Sequence, residues 1–185
     1  MIRKSLFSVA VVGMVAGLVA AAEFKSGPQP GDKFPGAFHP LNVTGDAKGE
    51  KQCLVCKNGA NPVAMVFART PDCEMTAKLL KRLDEVTIAN EKADMGSFAV
   101  YLTDDDKAKS KLEALEKKEG LRKLILAIDN PAGPEKYNVS KDADLTVTLY
   151  VKNDIKASYA FKKGEITDKD IEKIVKDVSK IVPAK

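Results

Sequence analysis

Two hydrophobic periods alternate along the chain. Residues 63–68, Val-Ala-Met-Val-Phe-Ala, form an unbroken apolar run, the mark of a strand buried on both faces. Thr70-Pro71-Asp72 then reads as a helix start, with a capping Thr, a Pro at the first helical position and an acid in the first turn. Met75, Leu79, Leu83 and Val86 follow at helical spacing. Residues 98–102 predict a second buried strand. Thr103 with Asp106 predicts a cap, Ala108, Leu112 and Leu115 mark a helix face, and Gly120 ends that helix. Residues 124–128 predict a third strand, 130–134 a loop and 135–139 a short helix.

The last third changes period. Leu145, Val147, Leu149 and Val151 alternate with more polar neighbours. Lys152-Asn153-Asp154 turns the chain, and Ile155, Ala157, Tyr159 and Phe161 alternate again, which predicts a hairpin. Thr167, with Asp170 three residues on, caps a final helix whose apolar stripe is Ile171, Ile174, Val175, Val178, Ile181 and Val182. Strand–helix alternation requires right-handed crossovers and a parallel core, to which the hairpin adds an antiparallel edge. The fold class is α/β: a central mixed sheet flanked by helices on both faces.

Residues 23–62 differ from this core. Glycines and prolines such as Gly31, Pro35, Gly36, Pro40 and Gly59 exclude long helices, so the segment reads as extended pieces, short strands or a hairpin, and turns. Ahead of it, Arg3 and Lys4 precede an uncharged apolar stretch that ends in Val19-Ala20-Ala21-Ala22. That is the pattern of a signal peptide, with small residues at Ala20 and Ala22 for cleavage near Ala22. The expected organisation is a signal peptide over 1–22, an extended segment with a hairpin over 23–62 and a core domain over 63–185. The expected location is periplasmic or secreted, with no membrane insertion after cleavage. Without Arg3 and Lys4, 28 basic residues face 26 acidic ones, so charge does not recruit a nucleic acid.

Export changes the chemistry open to Cys53, Cys56 and Cys73, because thiols outside the cytoplasm can be held as disulfides. An odd count leaves at least one thiol unpaired in a monomer. Cys53-Leu54-Val55-Cys56 is a C-x-x-C that precedes the first buried strand. In a flat strand its two ends would lie about 10 Å apart at about 3.3 Å per residue. A disulfide needs Cα atoms within about 7 Å. Pairing therefore requires the segment to curl into a turn. Four readings stay open for the pair: a structural disulfide, a redox pair, part of a metal site, or inert thiols. With Cys73 and His39 the donor count reaches the four that a closed zinc site wants, and copper accepts fewer. His39, the only histidine, sits between Phe38 and Pro40 and reads as structural. No cofactor is implied.

The order of elements, with several local strings, resembles the thioredoxin-like superfamily. Within it the nearer likeness is to the redoxin branch, which contains the peroxiredoxins and the exported thiol–disulfide oxidoreductases. The strings are Gly31-Asp32 with Phe38 and Leu41, the run over 63–68, the helix between Thr103 and Gly120, Glu135-Lys136-Tyr137-Asn138-Val139, and the closing stretch over 164–182. The resemblance implies a reactive thiol where the first buried strand hands over to its helix. Thr70-Pro71-Asp72-Cys73 occupies that junction and matches the T-x-x-C half of the peroxidatic motif, so Cys73 and Thr70 are the positions carried over. Three departures accompany the match. Val66 stands where the motif has proline, Thr70 replaces the first cysteine of a thioredoxin, and Thr146 stands where thioredoxins place a cis-proline. Asp72 and Glu74 flank Cys73, with Arg69 nearby to offset one of them.

The expected function is an exported thiol–disulfide oxidoreductase or thiol-dependent antioxidant. Cys73 attacks, Cys53 and Cys56 form the exchanging pair, and protein thiols, disulfides or peroxide are the partners. The alternative is an inactive binding module of the same fold, with Cys53–Cys56 as a structural disulfide, or a copper- or zinc-binding protein.

Overall fold

The computed structural model describes residues 24–183. The signal peptide expected over 1–22 lies outside the described residues. Six strands form one mixed sheet: β1 Leu41–Asn42, β2 Val63–Ala68, β3 Gly96–Leu102, β4 Ile125–Asp129, β5 Leu145–Val151 and β6 Asp154–Phe161. Their order across the sheet is β1-β4-β3-β2-β5-β6, with β2, β3 and β4 parallel and β1, β5 and β6 antiparallel to their neighbours. Four α-helices accompany them: α1 Leu54–Asn58, α2 Glu74–Ala89, α3 Ala108–Glu119 and α4 Asp168–Asp177. The predicted strands and the hairpin are present. The hairpin turns through Lys152 and Asn153, both at positive φ, which suits the right-handed twist of the strands it joins.

Both faces of the sheet are covered, but unequally. β2, β3 and β4 step across the sheet in one direction, so right-handed crossovers put α2 and α3 on the same face. α4 joins them there. Leu79, Leu80, Leu83, Leu112, Leu115, Ile171 and Ile174 meet Ala64, Val66, Ala99, Tyr101, Leu126 and Val147 in one core. Among the described residues the opposite face carries one short helix. α1 places Leu54 and Val55, with Phe38 and Tyr137, over Val63, Met65, Phe67, Phe98 and Val100. Phe34, Phe38, Phe67 and Tyr137 interlock on this face, with ring centroids 4.9–6.4 Å apart in four pairs. The absence of Cβ at Gly96 lets Asn58, at the end of α1, approach the start of β3.

Three local expectations are corrected. The helix predicted from Thr70 begins at Glu74, with Cys73 as its N-cap residue in extended conformation. Residues 70–73 form a turn instead, closed by the Cys73 N–H donating to the Thr70 carbonyl at 3.4 Å. The helix predicted from Thr103 begins at Ala108. The Thr103 hydroxyl accepts from the Asp105 N–H and the Asp105 carboxylate accepts from the Lys107 N–H, a pair of local side-chain turns that delay the helix. Residues 135–139 form turns and no helix, with Lys136 and Asn138 at positive φ. By contrast, the Thr167–Asp170 capping box forms as predicted.

A buried carboxylate ties the helical layer to the sheet. Asp84 on α2 accepts the backbone N–H groups of Arg122, Lys123 and Leu124 at 3.1, 2.7 and 2.8 Å, fixing the chain as it enters β4.

Candidate functional site

The three cysteines divide between two places. Cys73 follows β2 at its carboxyl end, where Ala68 pairs with Leu145 and Tyr101. Its thiol is free and half-buried at the start of α2. It borders a cleft of about 530 Å³ lined by Pro71, Asp72, Glu74, Lys111 and Lys118, among others. Both signs of charge border it, Asp72 and Glu74 against Lys111 and Lys118. Lys111 bridges Asp72 at 3.3 Å and Asp105 at 3.1 Å, so its ammonium is shared between two carboxylates. Burial raises the Tyr101 phenol above its ordinary range, and the nearby charges of Cys73, Asp144 and Asp72 add to the effect.

The residues expected to support Cys73 face elsewhere. The Thr70 hydroxyl donates to the Asp144 carboxylate at 2.6 Å. The Arg69 guanidinium donates to the carbonyls of Ala143, Pro131 and Ser140, at 3.0, 2.7 and 3.2 Å. Arg69 therefore clamps the loop ahead of β5 and holds no hydrogen bond to Cys73. Lys111, Asp144 and Tyr101 were not singled out in the sequence. They come from α3, the loop before β5 and β3, and no local motif joins them.

Cys53 and Cys56 form a disulfide, with Cα atoms 5.2 Å apart. The segment curls as pairing requires: Cys53 is the N-cap of α1, and its Sγ accepts the Cys56 N–H at 3.0 Å. The two sulfurs differ in environment. Cys53 is 6% exposed and belongs to the aromatic face of the core. Cys56 is exposed and lines a cleft of about 680 Å³ with Gly31, Asp32, Phe34, Val55, Asn153 and Asp154.

The structure does not bring the pair to Cys73. The cleft beside Cys56 includes the β5–β6 turn, which lies past the register pair Val63–Tyr150 at the amino end of β2. Cys73 lies beyond the other end. Six strand residues span about 17 Å at about 3.3 Å per residue. The donor set considered for zinc is likewise dispersed. His39 is exposed in the segment ahead of β1, and among the described residues no three His, Cys, Asp or Glu side chains converge as a metal site.

No family model matches the chain, and no curated protein matches it in sequence. Solved structures do match in shape. A candidate thiol:disulfide interchange protein DsbE from Chlorobium tepidum superposes with a TM-score of 0.61 at 15% identity, over 87% of this chain and all of that one. A secreted disulfide oxidoreductase from Mycobacterium tuberculosis, homologous to E. coli DsbE, gives 0.54 at 12% identity over 77% of this chain and 95% of that one. A thiol peroxidase from Chromobacterium violaceum gives 0.56 at 13% identity, over 81% and 87%. The fold is thioredoxin-like.

Thr146, where the sequence reading expects the cis-proline position, lies within β5, and no peptide bond among the described residues is cis. The Thr146 hydroxyl is hydrogen-bonded to that of Ser26 at 2.7 Å. Ser26 Oγ also accepts the Ser140 N–H at 2.9 Å, and the Gly27 N–H donates to the Asn138 carbonyl. A Cβ at Gly27 would lie 2.7 Å from the Thr146 methyl. The chain's own residues 26–27 therefore cover this position, and a partner strand could not lie on it without displacing them. Among the described residues no helix is long and apolar enough to cross a membrane.

Proposed function

We propose that this chain is an exported thiol–disulfide oxidoreductase whose exchanging group is the Cys53–Cys56 disulfide, with protein thiols as its substrates. The observation that carries the reading is the placement of that disulfide, with Cys56 exposed beside a cleft of about 680 Å³ and Cys53 seated in the core. A disulfide serving only as a staple has no need of an accessible sulfur. Attack by a thiolate requires one. Cys73 is not the partner of the pair in this scheme, because β2 separates them.

The test is stoichiometric. Oxidised protein is mixed with a dithiol peptide at neutral pH, and peptide disulfide is counted after acid quench. One peptide disulfide per protein is expected, with the same yield in Cys73→Ser and none in Cys56→Ser. No peptide oxidation by the intact protein would leave the disulfide as a staple and the chain as a binding module.

A second reading attaches to Cys73 alone, because it is the free, half-buried thiol at the strand–helix junction. Its thiolate would take one oxygen from a peroxide, forming a sulfenate and releasing water or an alcohol. Sulfenate trapping on Cys73 with stoichiometric hydrogen peroxide tests this independently of the pair.

A further inference from the structure

The two sulfurs of the pair are not equivalent, and we infer that Cys56 is the sulfur a partner thiolate attacks while Cys53 is the one that leaves and later resolves. This deepens the proposed function and rests on it.

Thiol–disulfide exchange proceeds in line: the attacking sulfur approaches the far side of the attacked one, opposite the leaving sulfur. For Cys53 that side is filled. The residue is 6% exposed and shares its cluster with Phe38, Leu54 and Val55, so a nucleophile would have to come through the core. For Cys56 the approach is open, through the cleft lined by Phe34, Gly36, Val55 and Asn153. The hydrogen bonding agrees with the access. The Cys56 N–H donates to Cys53 Sγ at 3.0 Å, placing a donor on the sulfur that becomes anionic when Cys56 is attacked.

The steps balance as follows. A partner thiolate bonds to Cys56 Sγ, the Cys53–Cys56 bond breaks, and its electron pair leaves on Cys53 Sγ. A second thiolate of the same partner then attacks the partner sulfur of the mixed disulfide and releases Cys56. The partner departs as a disulfide. The pair remains as two thiols, having gained two electrons from the partner and two protons by way of solvent. In the reverse direction Cys56 attacks a partner disulfide and Cys53 resolves it.

Oxidised protein carrying Cys73→Ser is mixed with excess reduced glutathione, quenched in acid within milliseconds to seconds, and mapped by peptide mass spectrometry. Glutathione is expected on Cys56, in at least about tenfold excess over Cys53, because exchange rates follow access to the attacked sulfur. Adduct on Cys53, or an equal division, overturns the assignment while leaving exchange itself intact. No adduct on either sulfur without denaturant overturns the exchange reading as well. Alkylation of Cys53→Ser and Cys56→Ser in the same background, each checked for fold by circular dichroism, gives a second readout. The remaining Cys56 should react at least about tenfold faster than the remaining Cys53, and equal rates contradict the assignment.

Discussion

The two ends of β2 offer sulfur in opposite ways. At the carboxyl end the fold places a free thiol at the N-cap of a sixteen-residue helix, the position expected from the sequence to be reactive. The side chains there do not follow through. Thr70 donates to Asp144, Arg69 serves loop carbonyls, and Lys111 is divided between Asp72 and Asp105. At the amino end no such helix is available, since α1 has five residues. Yet that end holds a closed disulfide with one exposed sulfur and a cleft beside it. On the proposed reading, the position where this fold customarily keeps its reactive sulfur and the position where this chain exchanges disulfides do not coincide.

The sharpest way to break this comparison is to remove one sulfur at each end. Cys56→Ser should lower dithiol-peptide oxidation by at least about a hundredfold, because no disulfide can then form. Cys73→Ser should leave it within about twofold, since Cys73 lies outside in-line reach of the pair. A large loss in Cys73→Ser would join the two ends functionally and contradict the separation.

The next effect concerns the seat of the pair. Leu54 is fully buried on the aromatic face, so Leu54→Ala should cost about 3 kcal/mol in chemical denaturation. A cost below about 1 kcal/mol would mean that α1 is a loose flap, as the range for buried leucine truncations implies. Asp84→Asn tests the helical face in the same assay. It weakens a carboxylate that accepts three backbone N–H groups and should cost about 2 kcal/mol.

A smaller effect sharpens the reading of the carboxyl end. Thr70→Val removes the hydrogen bond to Asp144 and should cost about 1–2 kcal/mol of stability. The alkylation rate of Cys73 should stay within about threefold, because the hydroxyl faces away from the thiol-to-peroxide chemistry its motif implies. A drop of tenfold or more would restore Thr70 to a supporting role.

The smallest effect is a control remote from both ends. Burial alone would raise the Asp177 carboxyl. The Lys180 ammonium, 2.8 Å away, and the Tyr159 hydroxyl outweigh it and hold the carboxyl below its usual range. A carboxyl lowered in the folded state contributes stability that is present above its unfolded value, about 4, and is lost as pH falls through the folded one. Asp177→Asn should therefore be less stable than the parent above pH 5, by less than about 1 kcal/mol for a pair whose lysine is half exposed, with the difference fading at lower pH. Thiol exchange should not change.

Much of the fold was legible because its signals are local and periodic. The unbroken run of β2, the alternation of β5 and β6, and the Thr167–Asp170 box each declare themselves within a dozen residues. The helix starts were misplaced where side chains compete for backbone groups, as Thr103 and Asp105 do ahead of α3. Helices on both faces were legible as well, but their unequal division between the faces was not, because it depends on strand order, which periodicity does not carry. For the site, the sequence located all three cysteines and Thr70 but not their distribution. Whether Cys53 and Cys56 curl into a turn, and which sulfur faces solvent, depends on how Leu54 and Val55 dock against Phe38, Val63 and Phe67, contacts made across the fold. The surroundings of Cys73 are nonlocal in the same sense, assembled from Lys111, Asp144 and Tyr101.

The central claim is that the amino-end pair works as an independent redox couple. Cys73→Ser protein is equilibrated across a series of glutathione ratios under native conditions, the free thiols are trapped, and the reduced fraction of Cys53 and Cys56 is read by mass. A reversible two-electron transition matching that of the parent protein is the predicted result. A pair that stays oxidised until the protein is unfolded, or a transition that disappears with Cys73, would contradict it.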